Sequence, residues 1–336
     1  MIPEPIPVAV IGVGHMGRHH ARLYNELPQS RLVAVVDSNP ERAKECAAQH
    51  KCAGLTSIQE LPEDVRAVTI AVPTIHHVAV AEPLLSRGIA VLVEKPLADS
   101  VEAAERLLAC GRKTGSLISV GHTERFNPVI RAIQRLNIRP KYIETQRISP
   151  FRFRSADIGV VADMMIHDID IVLHLVGSPV ARVDAVGVNV LAKHEDVANA
   201  RVVFQNGAVA SLVASRLAMK TDRRLRVFSE TAYLSLDYQR KSGVAITRDA
   251  NLDVLALAKD KKLDDLADMA NVDFGQLVKV EPLVMDDVEP LRAELESFLE
   301  SVRSGKPPAV SAEDGVEAVR LASHIVEAIQ AHRWDT

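Results

Sequence analysis

The 336-residue sequence holds three cysteines, one tryptophan and 4% aromatic residues, and it has no long unbroken apolar run. Cys46, Cys52 and Cys110 show neither a CxxC pair nor metal-ligand spacing, and three thiols cannot all pair. A disulfide framework therefore does not fit, and a reducing compartment, the cytoplasm, is expected. No apolar stretch approaches the ~20 residues that a membrane-spanning helix needs. The first strand-like run begins within ten residues of the start, so no leader peptide is expected ahead of it. An excess of positive charge is missing too: 40 basic against 44 acidic side chains give a net charge of −4. Neither nucleic acid nor an anionic membrane is indicated as a partner.

What is present is the makeup of a globular protein, 47% hydrophobic and 25% charged, in a chain long enough for two cores. Residues 8–17 read VAVIGVGHMG, an apolar run closing on Gly12, Gly14 and Gly17 and passing into a helical pattern. This is the strand, turn and helix start that receives a pyrophosphate. Gly12 permits the turn, Gly14 lets the backbone approach the phosphates, and Gly17 lets helix and strand pack closely. A second apolar run at 32–36 ends at Asp37, twenty residues past Gly17, where a dinucleotide-binding unit places an acid on the adenosine ribose. A carboxylate there repels a 2′-phosphate, so NAD is expected in preference to NADP, with Arg42 close enough in sequence to soften the preference.

Further strand-like runs at 65–72, 90–93 and 117–120 alternate with helical patterns at 76–87 and after a capping-box signal at 99–102. Such alternation makes a doubly wound parallel sheet, with ligands beyond the carboxyl ends of its strands. Asp37, Thr74 and Lys95 all fall at those ends. His15, His19 and His20 spread around one helix and are read as ordinary surface and turn residues, and no metal site is expected.

The alternation ends near GHTERFNP at 121–128, which places a boundary between a nucleotide-binding domain, 1–121, and a second α/β domain, 122–336. Residues 159–177, GVVADMMIHDIDIVLHLVG, are apolar nearly throughout, yet at about 100° per residue Asp163, His167, Asp170 and His174 share a stripe roughly 60° wide. A polar seam on a buried helix must be internally paired or line a cavity. Asp163 stands one turn before His167, where it could orient the ring, while Asp170 and His174 read as supporting residues. Asp168 points away from Asp170, leaving only part of a metal-ligand set. Short alternating strands follow from 182 to 247, with Asn206-Gly207 as a two-residue hairpin signal. They make an open, largely antiparallel sheet whose free face suits a subunit interface, a homodimer or homotetramer. Arg152 and Arg154, separated by one residue in a non-helical loop, could bind an anion through the guanidinium fork or as easily be solvated. Segment 259–265, KDKKLDD, reads as a solvated helix face, and two amphipathic helices, 290–302 and 312–329, close the chain.

Taken together, GVGHMG, Asp37, PTIHH at 73–77, EKP at 94–96 and the Asp163/His167 pair resemble the glucose–fructose oxidoreductase / inositol dehydrogenase / MocA family. The resemblance covers nearly the whole chain. It implies a Rossmann domain and an α/β domain with an open sheet, and oxidation or reduction of sugars or inositols with NAD(P). It further implies that Lys95 contacts the reacting hydroxyl and that His167 is the general base, steered by Asp163. Cofactor contacts are implied for Gly12, Gly14, His15, Met16 and Gly17 in the first turn. Asp37, Pro73, Thr74, His77, Glu94 and Lys95 supply the others. More narrowly, GHTERFNP, the arginine segment and VVADMMIHDIDI are similar to bacterial UDP-N-acetylglucosamine 3-dehydrogenases within the family. That likeness implies a nucleotide-sugar substrate whose pyrophosphate meets Arg125, Arg152 or Arg154. A free polyol or inositol dehydrogenase and a non-catalytic NAD-binding redox sensor are the alternatives.

Overall fold

The computed structural model describes residues 4–136, 138–151, 158–248 and 278–334. Its helices in chain order are α1 (His15–Glu26), α2 (Pro40–His50), α3 (His77–Ser86), α4 (Val101–Thr114), α5 (Pro128–Gln134), α6 (Ile166–Val176), α7 (Pro290–Ser304) and α8 (Ala312–Ala331). Two compact units emerge. One comprises Met1–Asn127, Val161–His174 and Val288–Thr336; the other comprises Pro128–Val160 and Leu175–Asp287. The contacts thus follow no single cut at 121/122. The chain leaves the first unit after Asn127 and returns to it twice, once with the segment that carries Asp163 and His167 and once with the two closing helices.

In the first unit, β1 (Ile6–Ile11), β2 (Ser30–Val36), β3 (Ala53–Leu55), β4 (Ala67–Ile70), β5 (Ala90–Glu94) and β6 (Ile118–Gly121) form a sheet of order β3-β2-β1-β4-β5-β6. Every pair is parallel. All of β4 and β5 is buried, as continuous apolar runs covered on both faces require. One covering layer includes Leu84, Leu85, Leu107 and Val316; the other includes Leu23, Tyr24, Leu295 and Phe298. Two local expectations are corrected. Helix α4 is capped by Ser100, whose Oγ accepts from the Ala103 N–H at 3.1 Å, one residue beyond the start of the capping box read at 99–102. The segment before α6 opens with a π-helical turn, Val161–Met165, so a seam computed at 100° per residue does not run unbroken through it.

The second unit is built on β7 (Tyr142–Ile148), β8 (Val180–Val188), β9 (Val197–Phe204), β10 (Val209–Ser215), β11 (Asp222–Phe228), β12 (Ala232–Asp237), β13 (Ser242–Arg248) and β14 (Val278–Pro282). Their order is β14-β13-β12-β11-β7-β10-β9-β8, antiparallel except where β7 meets β10. Along β7 and β10 buried and half-buried residues alternate, the pattern of a sheet with one covered face. On the other face Tyr142, Phe228 and Tyr233 stack in a row, with ring centroids 5.6 and 4.7 Å apart. The hairpin between β9 and β10 uses three loop residues, not the two expected. Phe204 N–H bonds to Ala208 O, and Gly207 takes φ +83°, the glycine position of a three-residue loop. Arg152, Arg154 and the charged segment 259–265 lie outside the described residues.

Candidate active site

The glycine turn is shaped by what a side chain would strike. A Cβ on Gly17 would stand 1.8 Å from the carbonyl oxygen of Gly12, and one on Gly12, at φ +84°, would stand 2.7 Å from that of Ala71. Gly14 differs, because a Cβ there would meet nothing within 4 Å. It is the N-cap of α1, without a side-chain cap and without an acid in the helix's first turn. The backbone amides and positive end of α1 are therefore open to an anion, so these residues fit the pyrophosphate of a dinucleotide. Asp37, 8% exposed, closes the turn from β2: its carboxylate accepts from the Val13 N–H at 2.9 Å and the Asn39 N–H at 2.9 Å. It both holds the loop and puts a negative charge beside it. Among the other residues expected to touch cofactor, His15, Met16 and Pro73 are exposed, and Thr74 is half-buried at the end of the β4 loop.

Beyond the carboxyl end of β5, Lys95 donates from Nζ to the backbone oxygen of Asp163 at 2.8 Å. The Asp163 carboxylate lies 3.7 Å from the same nitrogen. Lys95 and Asp163 side chains are 19% and 29% exposed, so the pair is reachable yet largely dry. His167, half-buried, follows four residues on within the same unit. An ammonium and an imidazole held on one strand end and one helix can stabilise an alkoxide and accept a proton. Glu94, directly before Lys95, faces inward: it accepts the Lys95 backbone N–H at 3.2 Å and meets His20 Nε2 at 2.8 Å. Burial pushes its carboxyl up, but His20 and Lys95 outweigh burial and hold it below the usual carboxylate value.

Residues 6–122 match the oxidoreductase family with the NAD-binding Rossmann fold, and residues 136–235 match the GFO/IDH/MocA C-terminal domain. The chain belongs to the GFO/IDH/MocA oxidoreductase family. It is 34% identical over 323 residues to the UDP-N-acetylglucosamine 3-dehydrogenase of Acidithiobacillus ferrooxidans, covering 96% of each chain. It is 28% identical over 326 residues to the scyllo-inositol 2-dehydrogenase (NAD(+)) of Bacillus subtilis, covering 90% of this chain and 88% of the other. A solved structure of the Acidithiobacillus enzyme matches with a TM-score of 0.86 at 32% identity, covering 98% of this chain and 99% of that one.

Two of the expected site residues, His77 and Arg125, are bonded to the protein's own framework. His77 is 1% exposed, with Nδ1 3.0 Å from Pro96 O and Nε2 3.0 Å from Val72 O, so it ties the β4 loop to the segment after β5. Burial pushes its pKa down, against the carbonyl oxygens at both ring nitrogens, which raise it. Arg125, expected at the substrate pyrophosphate, is 6% exposed and already committed. It grips both oxygens of Asp170, at 2.8 and 2.7 Å, reaches Asp314 at 3.2 Å, and sets a guanidinium nitrogen 3.3 Å from His174 Nδ1. A guanidinium so enclosed by two carboxylates is a structural cation, and the lower half of the polar seam is its partner set. His20, read from sequence as a surface residue, is fully buried against Glu94. The signal was available: His20 shares a helical phase with Leu23 and Leu27, and a buried imidazole needs a partner. Glu294 was missed outright, although it lies on the apolar phase of α7 between Leu291, Leu295 and Phe298.

A groove of about 730 Å³ lined by Arg66, Ala90, Leu117 and Lys306 sits at the amino ends of β4, β5 and β6. Ligands of a parallel sheet bind at the other end, where Lys95 stands, so the groove is not part of the site.

Proposed function

We propose that this oxidoreductase oxidises a ring hydroxyl of a nucleotide sugar, the 3-hydroxyl of UDP-N-acetylglucosamine, with NAD as the hydride acceptor. The observation that carries the reading is the Lys95–Asp163 contact with His167 four residues on, in a chain 34% identical to an enzyme bearing that activity. His167 takes the hydroxyl proton, which requires its ring to be neutral beforehand. Lys95 holds the developing alkoxide, and Asp163 holds Lys95. The turn from Gly12 to Gly17 and Thr74 bind the dinucleotide, and Asp37 favours NAD over NADP by its charge. NAD, when bound, supplies the hydride-accepting carbon. Arg152 and Arg154 are assigned to the substrate pyrophosphate. The stacked row Tyr142, Phe228 and Tyr233 on the open sheet face supports a homodimer or homotetramer, and the thiol usage supports a cytoplasmic setting.

The test follows reduced-cofactor absorbance with NAD and UDP-N-acetylglucosamine, N-acetylglucosamine or myo-inositol. Turnover on the nucleotide sugar, lost in Lys95→Ala and His167→Ala, is the expected result. Turnover only on the free polyol, with normal kinetics in an Arg152→Ala/Arg154→Ala double variant, replaces the substrate. Tight NAD binding without turnover on any sugar would leave a redox sensor.

A further inference from the structure

Two carboxyl groups are buried near the Lys95 strand end, and their surroundings are unequal. Glu94 accepts two hydrogen bonds, from His20 and from the Lys95 backbone. Glu294 is 1% exposed and accepts one, from Thr123 Oγ1 at 3.1 Å, while its Oε1 has no hydrogen-bond partner among the described residues. Helix α7 packs against the Thr123–Phe126 turn and against α1. The charged and titratable groups that face Glu294 from these elements and from β5 and α6 are few. Glu94 and Asp170 are acidic; His20 is engaged by Glu94, and Arg125 by Asp170 and Asp314. His122, 1% exposed, is kept neutral by burial, and Tyr24 is turned to Thr69 with its hydroxyl pushed up by burial. Among the described residues Glu294 makes no ion pair.

An ionised carboxylate with one donor in a dry site is strongly disfavoured, and a second anion beside Glu94 adds repulsion. We propose that Glu294 stays a neutral carboxylic acid in the folded enzyme, and that its ionisation at alkaline pH, which adds a second anion to the buried region behind Lys95, is what limits turnover there. The role in turnover rests on the assignment of Lys95 as the alkoxide-stabilising group. Burial, with Glu94 and Asp170, raises the Glu294 carboxyl well above its usual value, in agreement with the hydrogen-bond inventory.

The sign of the pH effect follows. A carboxyl raised in the folded state contributes stability that is fully present below the ordinary carboxylate value and is lost as pH rises through the folded value. Glu294→Gln and Glu294→Met, one polar and one apolar so that a folding failure of either leaves the other, remove the proton. Denaturant unfolding of the full chain from pH 5 to 8 is expected to show both variants gaining on wild type. The ratio of folding constants, variant over wild type, should rise by up to about tenfold per pH unit until Glu294 ionises. A ratio that is flat or falls with pH overturns the proposal. With UDP-N-acetylglucosamine as substrate, kcat of wild type should decline on the alkaline side where Glu294 ionises, and the variants should lack that decline. An alkaline profile common to all three also overturns it. Absence of turnover in wild type would sink the assigned function instead, and the unfolding data would still decide the protonation state.

Discussion

Lys95 Nζ is anchored by the main-chain oxygen of Asp163, at 2.8 Å, and more loosely by that residue's carboxylate, at 3.7 Å. The main-chain contact does not depend on the side chain. Asp163→Asn should therefore keep Lys95 near its place and cost less in kcat than Lys95→Ala, which removes the cation altogether. Loss of a donor aimed at developing negative charge costs about 10²–10³ in kcat. That range is expected for Lys95→Ala, with unfolding midpoints near wild type. Lys95→Arg should not rescue turnover, because a planar fork cannot replace a compact ammonium at this anchor. Steady-state kinetics of the three variants checks the order; an Asp163→Asn loss equal to that of Lys95→Ala would assign the hold to the carboxylate.

His167 is the proposed proton acceptor, so its ring is needed for turnover. His167→Asn should lower kcat by about 10²–10⁴. Binding of NADH, followed by fluorescence, should be nearly unchanged, since the cofactor turn is built from other segments.

The glycines separate folding from binding. Gly17→Ala puts a methyl 1.8 Å from a backbone oxygen and should fail to fold normally. Gly14→Ala meets open space within the protein at φ −68°, an angle alanine accepts, so its unfolding midpoint should stay close to wild type. The same methyl occupies the ground a pyrophosphate would take. Its Kd for NADH is expected to rise at least about tenfold, since close backbone approach is the reason for glycine there. Calorimetric titration of the folded variant decides it.

Five strands of the parallel sheet were readable because they are continuous apolar runs ending in glycine, acid or proline, each a local signal; the short, exposed edge strand β3, AGL, carries none and was missed. Lys95 and Asp37 were readable for the same reason: a strand's carboxyl end is marked in sequence. What could not be read is pairing at a distance. Arg125 looked like an anion ligand because nothing local shows that Asp170 and Asp314, 45 and 189 residues away, enclose it. The π turn over Val161–Met165 was invisible to a fixed 100° period, and the contact of Asp163 with Lys95, 68 residues away, had no local signal. Glu294 was passed over because it is a single glutamate on the apolar face of an otherwise regular amphipathic helix.

In the second unit, Asp196 collects a set of donors that sets a pH limit on stability. It is fully buried, and its carboxylate accepts from the N–H groups of Val190, Leu191 and Ala192 at 2.7, 2.6 and 3.2 Å. Arg216 Nε adds a fourth bond at 2.6 Å, and Arg216 Nη1 donates onward to Ile158 O at 2.8 Å. Burial alone would raise the carboxyl, but the backbone amides and Arg216 outweigh it and hold the pKa at about 2, below its ordinary 3.8. A depressed value means that the ionised form stabilises the fold above the ordinary value, and that this contribution is lost as pH falls through about 2. The difference amounts to about 2 kcal/mol at neutral pH. Asp196→Asn turns an amide donor toward donors and should cost at least that much at pH 7, with the gap to wild type narrowing toward pH 2. Urea unfolding across this range measures it, and a gap independent of pH would show that the loss comes from packing and not from charge.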